Sequence, residues 1–300
     1  MSKQPETNAE APACAPPDFK PRKPLLKLPV QACDTHAHIM GPKDEYPYSS
    51  ARVYTPPDCL LPDYLHMLDQ LGVERAVLVQ PSVYGTDNTV MLEAMRKAGD
   101  RFRGVAVVSD DISDNELGQL DEAGVRGVRV NVVDVKGDRA GLLPFDALRD
   151  LARRIKPLGW HMEFLMHVNE FVDLDRDLSD FPVDIVLGHL GYMKTDRGLE
   201  DPGFQALLRL AASGRCWLKL TGPYRISPGP LPYSDVTPFA HALLEAAPDR
   251  ILWGTDWPHV MLKGTMPNDA SLCELLSDWI PNASLRSRVL VDNPACLYRF

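Results

Sequence analysis

The sequence predicts an α/β protein of a single domain, a (β/α)8 TIM barrel in which eight parallel strands alternate with helices. Three observations lead there. Eight short apolar segments recur along the chain, and helical amphipathic stretches separate them. No glycine-rich phosphate loop follows the first segment, as it normally does in an open doubly wound sheet. The length of 300 residues suits such a barrel, which commonly runs to about 250 residues as one domain. With 45% hydrophobic and 24% charged residues, the chain has ample apolar surface to bury.

Residues 1–28 are rich in Pro, Ala and polar residues and lack either periodicity, so they predict a flexible tail ahead of a barrel at 29–300. Only "LLKL" at 25–28 is apolar enough to lie along the main domain. The first strand is expected in "ACDTHAHI" at 32–39, followed by the helical "DYLHMLDQLG" at 63–72. Strand "RAVLVQ" at 75–80 leads to helix "NTVMLEAMRKAG" at 88–99, and strand "RGVAVV" at 103–108 to helix "DNELGQLDEAG" at 114–124. Strand "GVRVN" at 127–131 precedes helix "FDALRDLARRIKPLG" at 145–159; strands "WHMEFLM" at 160–166 and "DIVLGH" at 184–189 follow. Helix "DPGFQALLRLAASG" at 201–214, strand "CWLKLTG" at 216–222, helix "TPFAHALLEAAP" at 237–248 and strand "RILWGTD" at 250–256 complete the set. Several helices close on the Gly or Pro expected at a helix stop.

Composition excludes some roles. The formal charge of −9 and the lack of a basic stripe oppose nucleic-acid binding, which Lys and Arg carry by neutralising phosphates. A few arginines converging in one pocket can still hold a small anion. The six cysteines are far apart, with no Cys-x-x-Cys pair, and read as reduced packing residues. No apolar run reaches the roughly 18 residues of a membrane span, and no signal pattern opens the chain, so a cytoplasmic location is expected.

In such a barrel the reactive groups sit at the C-terminal ends of the strands, and here those ends are polar. His36 and His38 close the first strand, Ser82 follows the second, Arg129 and Asn131 close the fourth, His189 the sixth, Thr221 to Arg225 the seventh and Asp256 the eighth. Spacing of two puts Asp34, His36 and His38 on one strand face, the barrel interior. Two imidazoles there can bind a metal or donate hydrogen bonds to a developing oxyanion. Each residue alone also reads as structural; their joint placement at strand ends makes the site. His66 and His241 lie in helical patterns. His161 and His167 flank the fifth strand in phase with Glu163, so one of them can turn inward, and His259 is placed to orient Asp256. Arg126 and Arg129 face opposite sides, and Arg129, nearer the strand end, is chosen as the inward one. With Arg225 it suits a grip on a carboxylate or sulfonate.

Taken in order, "DTHAHI" at 34–39, "YTP" at Tyr54, "LVQPSVYGTDN" at 78–88, "RGVRVN" at 126–131, "LGHLG" at 187–191, "TGPYR" at 221–225 and "WGTDWPH" at 253–259 resemble the amidohydrolase superfamily, in particular its 2-pyrone-4,6-dicarboxylate lactonase branch. The resemblance spans about residues 30 to 300. It implies a distorted barrel that hydrolyses a small anionic lactone in the catabolism of aromatic compounds. It further implies that Asp256 activates water, that His36, His38 and His189 surround the reacting carbonyl, and that Tyr54, Ser82, Arg129 and Arg225 hold the substrate.

Tyr192 stands at a substrate-holding position where the pyrone-dicarboxylate enzymes carry an arginine, and Val135 where they carry another; both point to a substrate with fewer anionic groups or one held differently. Arg129 occupies the place of a metal-bridging lysine in binuclear members, which argues against a two-metal centre. No cofactor is required by the resemblance, although one divalent metal such as zinc can be held by His36, His38, His189 and Asp256. The competing readings are a sugar-acid lactone isomerase or lactonase, a metal-dependent aromatic-acid decarboxylase, and a non-catalytic binder of a small dicarboxylate. The expected partner is the lactone itself, with homo-oligomer formation allowed and neither nucleic acid nor membrane involved.

Overall fold

The computed structural model describes residues 11–133 and 144–300. Its eight strands are β1 (Cys33–Ala37), β2 (Arg75–Val79), β3 (Phe102–Ala106), β4 (Val125–Asn131), β5 (His161–Leu165), β6 (Ile185–Leu187), β7 (Cys216–Leu220) and β8 (Ile251–Trp253). All are parallel and adjacent in chain order, the connectivity that repeated strand–helix units generate. All but the fourth end one to three residues earlier than the sequence pattern suggests. Among the residues left out are His38, His189 and Asp256, which leave the ladder and become part of the rim.

The helices are α1 (Leu61–Leu71), α2 (Thr89–Ala98), α3 (Asp114–Glu122), α4 (Phe145–Ile155), α5 (Leu174–Asp177), α6 (Pro202–Ala212) and α7 (Thr237–Ala246), with α8 (Asp269–Glu274), α9 (Leu276–Trp279), α10 (Ala283–Ser287) and α11 (Asn293–Tyr298) after the last strand. Their local chemistry is explicit. The Ser113 hydroxyl accepts from the Glu116 N–H and the Glu116 carboxylate accepts from the Ser113 N–H, which starts α3. Asp201 accepts from the N–H groups of Gly203 and Phe204, and Pro202 sits in the first turn of α6. In α4, Leu148, Ala152 and Ile155 recur at helical spacing and are the buried face.

β8 and β1 meet by a seam, not by a regular ladder. The His38 N–H donates to Trp257 O and the Asp256 N–H to His36 O, each at 2.8 Å. Below the mouth the barrel is filled by Cys33, Val77, Val79, Val105, Val186 and Trp217, with Tyr298 under them. That apolar plug makes the barrel a packed core and confines chemistry to its upper end.

Residues 11–28 depart from the tail expected at 1–28, while 1–10 lie outside the described residues. The Cys14 N–H donates to Thr55 O at 2.8 Å, Asn268 Nδ2 donates to Asp18 Oδ2 at 2.7 Å, and Arg22 pairs with Glu274 at 2.5 Å. An extended strap needs no periodicity, because its backbone and charged groups find partners on the loops it crosses. Within "LLKL", Leu28 is buried and Leu25 is 93% exposed. No described helix is long and apolar enough to cross a membrane.

Candidate active site

β1 answers for the histidines in a way that spacing alone does not. Asp34 pairs with Ala76 of β2 and Ala37 with Leu78, so three steps on β1 run beside two on β2. An extra residue of this kind is a bulge, and it turns the strand face over between Asp34 and His36. The expectation that Asp34 shares the interior face with the histidines is therefore corrected. Asp34 points toward α1 and the seam: it accepts from the Tyr64 hydroxyl at 2.9 Å, the Thr255 hydroxyl at 2.6 Å, and the N–H groups of His36 at 3.0 Å and Thr255 at 2.9 Å. Burial pushes its carboxyl up to about 6 against the pull of those hydrogen bonds. Asp34 is a staple, not a site residue. Gly254 is required at this seam, since a Cβ there would lie 2.7 Å from the His36 nitrogen.

Beyond the bulge the rim residues converge as expected. His36 stands 5.1 Å from His38 and 5.0 Å from His189, ring centre to ring centre. Asp256 Oδ1 lies 3.8 Å from His36 Nε2 and 4.0 Å from His38 Nε2, and Asp256 Oδ2 lies 4.0 Å from His189 Nδ1. All four side chains are buried. The two oxygens of Asp256 differ sharply. Oδ2 accepts from the Tyr224 hydroxyl and from Arg225 Nε, both at 2.6 Å, whereas among the described residues Oδ1 has no hydrogen-bond partner and nor has His36 Nε2 facing it.

Asp256 and His189 both hold positive φ, 65° and 51°, a left-handed conformation that costs a non-glycine residue about 1–3 kcal/mol and is met most often where a side chain must be aimed. Gly222, at φ 55°, lets the chain pass behind them; a Cβ there would sit 2.9 Å from Asp256 Oδ2 and 3.1 Å from His189 Nδ1.

Burial by itself would raise the Asp256 carboxyl, but the Arg225 guanidinium holds it well below the usual carboxylate range. Burial drives the imidazoles the other way. His36 is lowered well below its ordinary value, by burial and then by Lys219, His38 falls to about 4 and His189 to about 3. An ionised carboxylate thus faces three neutral rings. His38 Nδ1 meets the Val79 carbonyl at 2.7 Å, an acceptor only, so that nitrogen carries the hydrogen and Nε2 presents a lone pair to the site. His189 Nδ1 is 2.9 Å from the Thr221 hydroxyl.

One level down, on β5 and β7, lies a pair not singled out from the sequence. Lys219 Nζ donates to Glu163 Oε2 at 2.5 Å, and both lie 3.3 Å from His36 Nδ1, the carboxylate through Oε1. Both are essentially unexposed. The available signal was a lysine in the middle of the apolar "CWLKLTG", in strand phase with Thr221. Glu163 turns inward as its phase allows. His161 also turns inward, but low in the barrel against Tyr298, with ring centres 5.3 Å apart, and His167 stacks on Tyr192 at 4.6 Å.

The mouth above is a cleft of about 40 Å³ lined by His38, His189 and Asp256 together with Tyr54, Ser82, Arg129, Tyr192 and Arg225. Arg129 enters the barrel and donates to Gln80 O at 3.1 Å, while Arg126 turns outward to Asp121, as their spacing requires. The expected pair of substrate-holding arginines is modified. Arg225 is engaged by Asp256 through Nε and by Val260 O through Nη2, leaving Arg129 as the cleft guanidinium without a carboxylate partner among the described residues. Val135 lies outside the described residues. The His259 N–H donates to Asp256 O at 2.8 Å, while its ring reaches the Asp256 carboxylate through the Tyr224 hydroxyl.

A single divalent ion fits this donor set. Ligand atoms of His36, His189 and Asp256 lie within 4.8 Å of one another, and the unpartnered His36 Nε2 and Asp256 Oδ1 face one another across that space.

Residues 33–300 match the family model described as amidohydrolase. The chain is 39% identical over 287 residues to a 2-pyrone-4,6-dicarboxylate hydrolase of Comamonas testosteroni, covering 93% of each chain. It is 37% identical over 296 residues to a 4-sulfomuconolactone hydrolase of Rhizobium radiobacter, covering 98% of each. Its fold is similar to the apo crystal structure of an Agrobacterium tumefaciens protein, with a TM-score of 0.82 at 28% identity over 92% of this chain and 98% of that one.

Proposed function

Since the chain belongs to the amidohydrolase family, we propose that it is a lactone hydrolase of aromatic catabolism that opens a small anionic lactone of the pyrone-dicarboxylate or muconolactone type. One observation carries the reading. The bare Oδ1 of an ionised Asp256 faces the imidazoles of His36 and His38 across a gap of about the length that one water bridges, at the floor of a cleft holding Arg129.

Asp256 Oδ1 takes a proton from that water as its oxygen bonds to the lactone carbonyl carbon. The second hydrogen of the water has an acceptor in His38 Nε2. Negative charge moves to the carbonyl oxygen. With Lys219 donating to Nδ1, His36 keeps its hydrogen on Nε2 and offers it to that oxyanion. Collapse of the tetrahedral intermediate breaks the ring C–O bond, and Asp256 returns the proton to the departing oxygen, which leaves a hydroxy acid or its keto tautomer. A positioned base of this kind contributes roughly 10²–10⁴-fold, and each good oxyanion donor about 3–4 kcal/mol. A zinc ion on His36, His189 and Asp256 would polarise the carbonyl or acidify bound water. Arg129, charged and fork-shaped, suits a carboxylate or sulfonate on the ring.

The test is ring opening followed by loss of ultraviolet absorbance, with 2-pyrone-4,6-dicarboxylate and 4-sulfomuconolactone as substrates and the products identified by NMR. The reading expects net addition of water and near-complete loss of turnover in Asp256→Asn with the fold retained. A rearranged lactone, release of carbon dioxide, or an Asp256→Asn protein that keeps most of its activity sinks it.

A further inference from the structure

Asp256 is the near end of a buried chain of hydrogen bonds leading away from the cleft. Its Oδ2 accepts from the Tyr224 hydroxyl at 2.6 Å. The same phenol oxygen lies 2.9 Å from His259 Nδ1, and His259 Nε2 lies 3.1 Å from Asp269 Oδ1. His259 and Asp269 are fully buried. The other oxygen of Asp269 has no partner, so its carboxylate is engaged by His259 among the described residues. A carboxylate buried with so little company is costly, and packing alone would be better served by an apolar side chain. His259 is held at φ 60°, in the same left-handed region as Asp256 three residues before it, so the turn "DWPH" is bent at both of its own ends.

Hydrogen counting gives the chain a direction. Tyr224 has one hydroxyl hydrogen and two neighbours that can take it, Asp256 Oδ2 and His259 Nδ1. Asp269 accepts from His259 Nε2. If the phenol donates to Asp256, the closer of its two neighbours, its oxygen must accept from His259 Nδ1. The far nitrogen of His259 meets Asp269 Oδ1, which fixes the ring beneath the phenol. Without Asp269, nothing among the described residues holds the far side of the His259 ring, and the ring is free to turn away from the Tyr224 hydroxyl.

We propose that Tyr224, His259 and Asp269 are positioning residues that pin Oδ2 of Asp256, so that Oδ1 alone addresses the water. Arg225 secures Oδ2 from the other side. With both contacts in place the carboxylate cannot rotate to exchange its oxygens, and the reactive oxygen stays aimed at His36 and His38. This rests on Asp256 acting as the base.

The experiment compares Tyr224→Phe, Asp269→Asn, the double variant and Asp256→Asn on 4-sulfomuconolactone and 2-pyrone-4,6-dicarboxylate, with thermal unfolding recorded for each. The expected result is a fall in kcat of roughly 10- to 100-fold in each relay variant, with KM within about twofold, because misaiming a catalytic group acts on the chemical step. The double variant should lose no more than Tyr224→Phe alone, since Asp269 acts through Tyr224. Losses that multiply, a change confined to KM, or wild-type kcat in Asp269→Asn overturns the relay. Should Tyr224→Phe fail to fold, Asp269→Asn and His259→Gln carry the same comparison. An inactive Asp256→Asn beside fully active relay variants removes the relay and leaves the base. An active Asp256→Asn removes the base, and the relay with it.

Discussion

Lys219 and Glu163 meet under His36 with almost no exposure, and their energetics are those of a buried ion pair. The pair cancels much of its own desolvation cost. Removing one member does not: Lys219→Met leaves Glu163 charged in a low-dielectric site. The expected loss of stability is about 3–5 kcal/mol, read from urea unfolding, and the double change to Met and Leu should recover much of it. A Lys219→Met protein as stable as the parent refutes the pairing. Neither residue was legible as a partner of the other. Strand phase says that each faces inward, but β5 and β7 are not neighbours in the sheet, and only barrel closure brings their side chains together.

At the scale of elements, the eight strands were readable because apolar segments bounded by turn residues repeat, and each segment of the pattern became a strand. The face of β1 was not. A bulge is a property of two strands in register, so the single sequence "CDTHA" does not announce it, and strand phase alone puts Asp34 in the interior with the histidines that actually occupy it. Gly222 belongs to the same scale, because it lets the turn after β7 pass behind Asp256 and His189. Gly222→Ala introduces a Cβ against both, at 2.9 Å and 3.1 Å, in a backbone conformation that disfavours it. The expected outcome is a kcat lowered by roughly 10-fold or more while secondary structure by circular dichroism is kept. Unchanged kcat contradicts the close approach.

Over the whole molecule the buried histidines set a dependence of stability on pH. Unfolded histidines titrate near 6.5, while burial lowers His38 to about 4 and His189 and His161 to about 3 in the folded chain. Between roughly 6.5 and 4 the unfolded chain therefore binds protons that the native chain refuses, and stability falls as pH falls. Asp34 acts in the opposite sense: its carboxyl, raised to about 6, is protonated in the native state before the unfolded one, so its contribution grows as pH drops through 6. With His36, also lowered well below its ordinary value by burial, four groups oppose one. The urea midpoint should be lower at pH 5 than at pH 7.5, and an equal or higher midpoint at pH 5 contradicts the burial of these rings in neutral form. The strap at 11–28 bears on the molecule as a whole too. Its polar composition reads as a tail, yet its partners Thr55, Asn268 and Glu274 come from distant parts of the chain, and these contacts exist only once the barrel has formed.

From the sequence alone follow the barrel, the order of its strands, and the identity of the rim residues His36, His38, His189 and Asp256, because periodicity and strand ends are local properties of the chain. Tertiary structure decided how those residues are used. It turned Asp34 out and His36 in, placed Lys219 and Glu163 beneath the imidazoles, and divided Asp256 into a pinned oxygen and a bare one. Each of these depends on register or closure between segments far apart in the chain, where the energy of a contact is set by both partners at once.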